Sequence, residues 1–419
     1  MAFKSTLAAL ALALVAAPSS TEAAVYRNVV YFMEWGIYGR NFNIFDMDWS
    51  TVSHVIYAFA RPNADGTISL VDAYADTDKR WPDHGDSWND QGTNLYGNFG
   101  QGFKQKLQHR GAKFGLSLGG WTMSDKFHGI ASTEESRRTF AQSAVQLMLD
   151  LGLDFIDVDW EYPEGENDMP HFVDLLAAIR TEYKTNPNVS FEAELSVASP
   201  AGPAHYGNWD FGGVCGQVDF INAMTYDLAG PWSQYTDHQT NLYVDPTHPD
   251  GPTYSVDGAI QDYIQRGCPS EKIVMGISLD GRSFENTDGL YASFTAPTQG
   301  SWLPGGESIW DYKVLPLNGA TEMFDETLVA SYSYDADARL FMSYESPTSF
   351  AVKLDYVTQN NLGGVMFWSV DADAAADSGR SLIKQAYDAF GGSDNEAFYS
   401  NSINYTSSKY DNIRNPGSP

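Results

Sequence analysis

Eight short apolar runs, at 29–32, 52–60, 113–118, 155–160, 191–198, 220–224, 273–279 and 364–368, are spread along this chain of 419 residues, with helical patterns between several of them. Continuous apolar runs of that length read as strands buried on both faces, the condition of parallel strands covered by helices. Ser132 with Glu135 three residues on forms a capping box, opening a helix whose Phe140, Ala144, Leu147 and Leu151 keep one face apolar until Gly152. Pro170 suits the first turn of a second helix, with Phe172, Leu175, Leu176 and Ile179 inward. Repeated strand, helix, strand units over about 250 residues leave a doubly wound sheet or a closed eightfold β/α barrel. Eight strands favour the barrel.

That regular spacing fails between the seventh and eighth strands. Residues 284–343 are too many for a connecting loop and predict a small inserted α+β domain. The barrel then takes 24–283 and 344–391, and 392–419 forms a surface-wrapping or mobile tail. At the other end, Lys4 precedes an apolar run at 7–17 followed by small residues to Ala23 and Ala24, the pattern of a secretory leader at 1–23. That run is shorter than the roughly 20 residues of a membrane span. The expectation is an extracellular protein without a membrane or nucleic-acid partner, and a monomer.

Charge supports the exclusion: 54 Asp and Glu against 25 Lys and Arg give a net charge of −29, which repels phosphate backbones and anionic headgroups. Only Cys215 and Cys268 occur, so secretion permits one bridge, which the sequence leaves open. Asn188-Val-Ser190 and Asn404-Tyr-Thr406 are glycosylation sequons and support the compartment weakly.

The densest chemistry lies in Asp154-Phe155-Ile156-Asp157-Val158-Asp159-Trp160-Glu161-Tyr162-Pro163. Strand alternation puts Phe155, Asp157, Asp159 and Glu161 on one face, ~6.6 Å between successive members. In a barrel that face points inward and rises toward the C-terminal rim, where such folds carry their active sites. Three crowded acids cannot all ionise cheaply, so the group holds at least one proton at neutral pH. Glu161, nearest the rim, is the natural general acid.

Competing motifs fail on context. Gly115-Leu-Ser117-Leu-Gly119 fits a serine-hydrolase elbow, but the next helix cap is Ser132 and the last of eight histidines is His248, leaving no late triad histidine. Asp371-Ala372-Asp373 suggests a calcium loop, yet Ala376 and Leu382 stand where Gly and Glu are required. No metal and no cofactor are expected. Trp35, Tyr38, Trp121, Trp232 and Trp368 fall near strand ends and together suggest stacking platforms for sugar rings. Met224-Thr225-Tyr226-Asp227 closes the sixth strand with a phenol and an acid at the same rim.

Ser117-x-Gly119-Gly120-Trp121, Asp154-x-x-Asp157-x-Asp159-x-Glu161, Met224-x-Tyr226-Asp227, Gly281-Arg282-Ser283-Phe284 and Trp368 together resemble glycoside hydrolase family 18, most closely the secreted chitinases of filamentous fungi. The likeness runs from Tyr31-Phe32 to Tyr410-Asp411-Asn412-Ile413-Arg414. It implies hydrolysis of chitin or chito-oligosaccharides by substrate-assisted catalysis, the family being an exception to the two-carboxylate scheme. By the same resemblance Glu161 protonates the glycosidic oxygen, Asp159 orients the 2-acetamido group, Asp157 shares its proton, and Tyr226 bonds the acetamido oxygen. Trp35, Tyr38, Phe59, Gly120, Trp121, Tyr162, Met224, Asp227, Trp232, Arg282 and Trp368 are implied to bind substrate.

Three alternatives stay open: a chitin-binding lectin, an endo-β-N-acetylglucosaminidase on N-glycans, and a conventional retaining glycosidase with Asp159 as nucleophile. Departures from the family's pattern are also visible. Phe155 replaces the usual Gly below Asp157, while Gly115, two residues below Ser117, stands where relatives carry a larger aliphatic; a volume-conserving swap is expected. Asp280 replaces a Tyr and Met33-Glu34 a more neutral pair, and such added carboxylates at the rim would favour partly deacetylated, cationic chitin.

Overall fold

Residues 25–248, 251–395 and 400–416 are described by the structure, a computed structural model; the leader expected at 1–23 lies outside them. The strands in chain order are β1 (Arg27–Met33), β2 (His54–Pro62), β3 (Ile68–Ser69), β4 (Lys113–Gly119), β5 (Phe155–Asp159), β6 (Glu194–Pro200), β7 (Phe220–Met224), β8 (Ile273–Ser278), β9 (Asp280–Glu285), β10 (Ile309–Asp311), β11 (Thr321–Asp325), β12 (Ala330–Asp335), β13 (Leu340–Tyr344) and β14 (Gly364–Trp368). β1, β2, β4, β5, β6, β7, β8 and β14 pair in parallel in that order, and β14 pairs back to β1, so the sheet closes into the expected eight-stranded barrel. β3 only folds back antiparallel on the end of β2.

Apolar residues on the outward faces, such as Ile156 and Val158, are buried beneath helices that include Glu134–Leu151 and Asp168–Thr185. Inside, Val29, Tyr31, Ile56, Ala58, Phe155, Phe220, Val274 and Met366 fill the cross-section. At the N-terminal end Glu194 accepts from Lys113 Nζ at 2.6 Å and faces His54 Nε2 at 2.8 Å, which neutralises the charges at the barrel floor. The swap expected between Phe155 and Gly115 has a direct geometric basis. The two residues are register partners, and a Cβ on Gly115 would stand 2.5 Å from the Phe155 ring.

Local differences have physical reasons. The helix after β4 is capped by Thr133, whose hydroxyl accepts from Ser136 N–H, and not by Ser132. Ser132 ends the preceding helix Phe127–Ala131 and donates its hydroxyl to the Gly129 carbonyl, so the expected capping box does not form. Pairing of β6 begins at Glu194, opposite Phe155, and Phe191 turns away to pack on Tyr405.

β9 to β13 form a separate antiparallel sheet in the order β10-β9-β13-β12-β11. Asp280 to Ser283, grouped with the barrel in the sequence reading, belong to β9 of this second sheet. Leu279 is the junction: its N–H donates to Trp368 O and its carbonyl accepts from Tyr312 N–H, leaving no loop between the two sheets. Cys215 and Cys268 are joined in a disulfide.

Residues 400–416 lie against the barrel. The Asn401 amide donates to the carbonyls of Lys106, His109 and Ala112, and Tyr405 is fully buried. Among the described residues no helix is long and apolar enough to cross a membrane.

Candidate active site

β5 carries the acids upward through the barrel. Asp157 is fully buried and accepts from Tyr31 Oη (2.9 Å), Ser117 Oγ (2.7 Å), Ser196 Oγ (2.6 Å) and Asn222 Nδ2 (3.3 Å), donors from four other strands. Burial pushes its carboxyl up and these donors pull it back. Ser117 is therefore a buried donor, not an exposed nucleophile.

Asp159 lies one step higher and has no comparable support. Its Oδ1 is buried without a hydrogen-bond partner, and burial with the nearby charges of Glu161 and Asp157 drives its carboxyl well above the ordinary range. Glu161, just past the strand end, is pushed up to about 7 by burial, against hydrogen bonds from Tyr162 and the Trp121 N–H. The acid ladder thus runs from a hydrogen-bonded base, through a carboxyl lacking a partner, to a half-buried group that exchanges protons near neutrality.

Backbone geometry holds this end in place. Gly119 and Gly120 have φ of +112° and +86°, and the Gly120 N–H donates to Asp159 O at 2.9 Å. A side chain at either would be strained; a Cβ on Gly119 would also fall 2.3 Å from Asp159 O. Ser124 Oγ accepts from Glu161 N–H at 2.8 Å and donates to Gly120 O at 3.0 Å. Across the barrel, Gly276 leaves room for the Tyr226 ring, since a Cβ there would sit 2.9 Å from Tyr226 Cε1. The Tyr226 hydroxyl is held protonated by burial and by the charges of Asp227, Asp159 and Glu161.

At the same rim a cavity of about 640 Å³ is lined by Trp35, Phe59, Trp121, Met123 and Trp368, with Glu34 and Arg61 among the polar members; Asp157, Asp159, Glu161 and Tyr226 are not in that lining, and Trp121, whose N–H bonds Glu161, joins the two. Phe59 and Trp368 stack with centroids 5.8 Å apart, and Trp121, 71% exposed, meets Tyr162 edge-on. Tyr162 in turn stacks on His205 at 4.4 Å.

Others of the expected binding residues stand outside that lining. Arg282 grips Asp227 with two hydrogen bonds of 2.7 and 2.6 Å, and its guanidinium carbon lies 5.5 Å from the Trp232 ring centroid. Its charge is thereby engaged within the protein, where it positions Asp227 and Trp232. Tyr38 donates to Asp72, and Met224 is half-buried against the apolar cluster of the barrel interior. Asp280 is pushed up to about 7 by burial, against Arg282.

Sequence reasoning missed Ser124, Ser196 and Asn222. The last two were detectable as polar residues at inward positions of buried strands; Ser124 carried no such signal. Asp371 and Asp373 act as structural acceptors, from Ser369 Oγ (2.8 Å) with the Arg40 guanidinium and from Ser381 Oγ (2.6 Å) respectively.

The family model for glycosyl hydrolases family 18 matches residues 27–373. "Chitinase 1" of Aphanocladium album is 43% identical over 409 residues, covering 96% of this chain and 94% of that protein. "Endochitinase 1" of Metarhizium robertsii is 42% identical over 406 residues, covering 96% and 93%. Among solved structures, a chitinase from Bacillus thuringiensis superposes with a TM-score of 0.80 at 29% identity, over 88% of this chain and 70% of that one. The catalytic domain of chitinase B from Arthrobacter TAD20 gives 0.79 at 28%, over 88% and 96%.

Proposed function

The chain belongs to glycosyl hydrolases family 18, and from that premise we propose that it is a secreted chitinase, cleaving β-1,4-linked N-acetylglucosamine polymers with retention of configuration. Glu161 donates its proton to the glycosidic oxygen as the C1–O bond breaks. The substrate's own acetamido carbonyl forms the new bond to C1, giving an oxazolinium ion, so no enzyme nucleophile is needed. Water then attacks C1, its proton passing to the Glu161 carboxylate, which restores the starting state.

Asp159 accepts the acetamido N–H and offsets the positive charge that develops on the ring, while Asp157 shares its proton. Tyr226 donates to the acetamido oxygen. Trp368 is the floor beneath the −1 sugar, with Met224 and Asp227 beside it. Trp35, Trp121 and Trp232 are platforms for neighbouring units, and the second sheet forms one wall of the cleft.

One observation carries the reading: a buried Asp159 oxygen without a partner, directly below a Glu161 that protonates near pH 7. An acceptor left empty at that depth costs free energy unless a ligand supplies the donor. The test is a time course on a chitin hexamer and a cello-hexamer with wild type and Glu161→Gln, products read by mass. Cleavage of the chitin oligomer alone, lost in the variant, is expected. Binding without cleavage by wild type would move the protein to the lectin class. Tight inhibition by a non-hydrolysable thiazoline mimic of the oxazolinium ion is also expected; its absence would point to Asp159 as nucleophile.

A further inference from the structure

Glu34 lines the cleft cavity together with Trp35, Trp121 and Trp368, yet only 9% of its surface is exposed. Its Oε2 is buried with no hydrogen-bond partner. Behind it lies Asp76, fully buried, whose two oxygens are both supplied: Oδ1 by Tyr57 Oη at 2.6 Å and Oδ2 by Asp72 N–H at 3.1 Å. Asp72 is supplied as well, by Tyr38 Oη and by the N–H groups of Tyr74 and Ala75. Glu34 shares a side-chain hydrogen bond with Asp76, and of the three neighbouring carboxyls it alone lines the cleft and has an oxygen, Oε2, left without a partner.

Nearby cations do not fill that role. Arg61 acts on Glu34 only at a distance, with no ion pair between them among the described residues, and Lys126 is taken by Asp125. The chemistry that suits Glu34 is therefore a small cation entering through the cleft, and indole rings beside it favour the same charge.

We propose that Glu34, backed by Asp76, receives the 2-ammonium group of a deacetylated glucosamine unit, making partly deacetylated chitin a substrate class of this cleft. The proposal rests on the chitinase reading above and names a specificity determinant within it. A sugar hydroxyl could donate to Glu34 Oε2 but would leave the negative charge of the Glu34–Asp76 pair unmatched. Burial and the neighbouring Asp76 push Glu34 up to about 8 and Asp76 is raised to about 6, so the pair holds one proton and one negative charge at neutral pH, and an ammonium at Oε2 meets that charge.

The experiment compares wild type, Glu34→Gln and the charge-retaining Glu34→Asp on two hexamers, one fully acetylated and one carrying a single glucosamine unit, with products sequenced by mass. Wild type is expected to place the glucosamine unit at one fixed distance from the cut. In Glu34→Gln that placement should be lost, and the ratio of kcat/KM for the glucosamine hexamer to that for the acetylated one should fall about tenfold, the scale of one charged hydrogen bond. Glu34→Asp should keep part of the preference. An equal loss on both hexamers would mean a hydroxyl contact, and an unchanged ratio would mean no contact; either overturns the proposal. Calorimetric binding of both hexamers to Glu161→Gln, with and without Glu34→Gln, reads the same ratio independently of turnover. Failure of wild type to cut the acetylated hexamer would instead sink the chitinase reading.

Discussion

At the scale of the residue, Glu161 decides the pH behaviour of the reaction. A general acid works only while protonated, and burial has moved this carboxyl up to about 7. The rate, measured as kcat/KM on a chitin oligomer, should therefore fall as pH rises through about 7. Glu161→Gln should cost about 10³-fold in kcat with binding retained, and the alkaline limb should vanish from whatever activity is left. The Phe155 and Gly115 pair belongs to this scale too. Gly115→Leu should lower stability by about 1–3 kcal/mol through overpacking against the Phe155 ring, read by urea unfolding. Gly115→Leu with Phe155→Gly should recover most of it, whereas a silent single variant would show that the two positions do not share space. Glu161, Asp159 and Asp157 were legible because a strand's period of two sets their common face without help from the rest of the chain. The donors that distinguish Asp157 from Asp159 were not, because they come from four other strands and depend on barrel register.

The elements explain how so polar an interior is tolerated. β5 is flanked by β4 and β6, so Ser117 and Ser196 stand directly opposite Asp157, while Tyr31 and Asn222 reach it across the lumen. At the opposite end, Lys106 is buried, donates to Gly152 O (2.7 Å) and Tyr405 Oη (2.9 Å), and pairs with Asp154 at 2.8 Å. Asp154 also accepts from Ser402 N–H and Tyr405 Oη. The segment 400–416 thus closes the solvation shell of a buried ion pair beside the start of β5. Tyr405→Ala should destabilise the fold by about 3–5 kcal/mol, since it removes a large buried ring and strips hydrogen bonds from that pair. Urea unfolding checks the magnitude, and a loss below 1 kcal/mol would show that the segment only drapes over the surface. The strands were legible from apolar runs alone. The tail was not, because its anchors are single residues, Asn401, Tyr405 and Ile413, without periodicity.

For the whole molecule, acidity is the dominant electrostatic fact. Several buried carboxyls bind protons more tightly folded than unfolded: burial raises Asp76 and Asp373 to about 6, Asp237, Asp280 and Glu161 to about 7, and Glu34 to about 8. Each contributes stability that is complete below its unfolded value and is lost as pH rises through its folded one. The net charge of −29 adds repulsion in the same direction. His238, lowered to about 4 by burial, acts oppositely and penalises acid. The melting temperature should fall between pH 6 and pH 8, and Glu34→Gln should shallow that slope. A rise over the same interval would mean that these groups titrate as in the unfolded chain. The sequence by itself determined the barrel, the acid ladder and the family, because strand burial, period-two alternation and motif spacing are local properties of the chain. Tertiary structure alone decided which carboxyl is hydrogen-bonded and which is left without a partner, that Arg282 is engaged by Asp227, and that Glu34 stands in the cleft backed by Asp76. Those outcomes depend on which groups from distant strands and loops converge where water is excluded, and neither distance in space nor access of water is written in the order of residues.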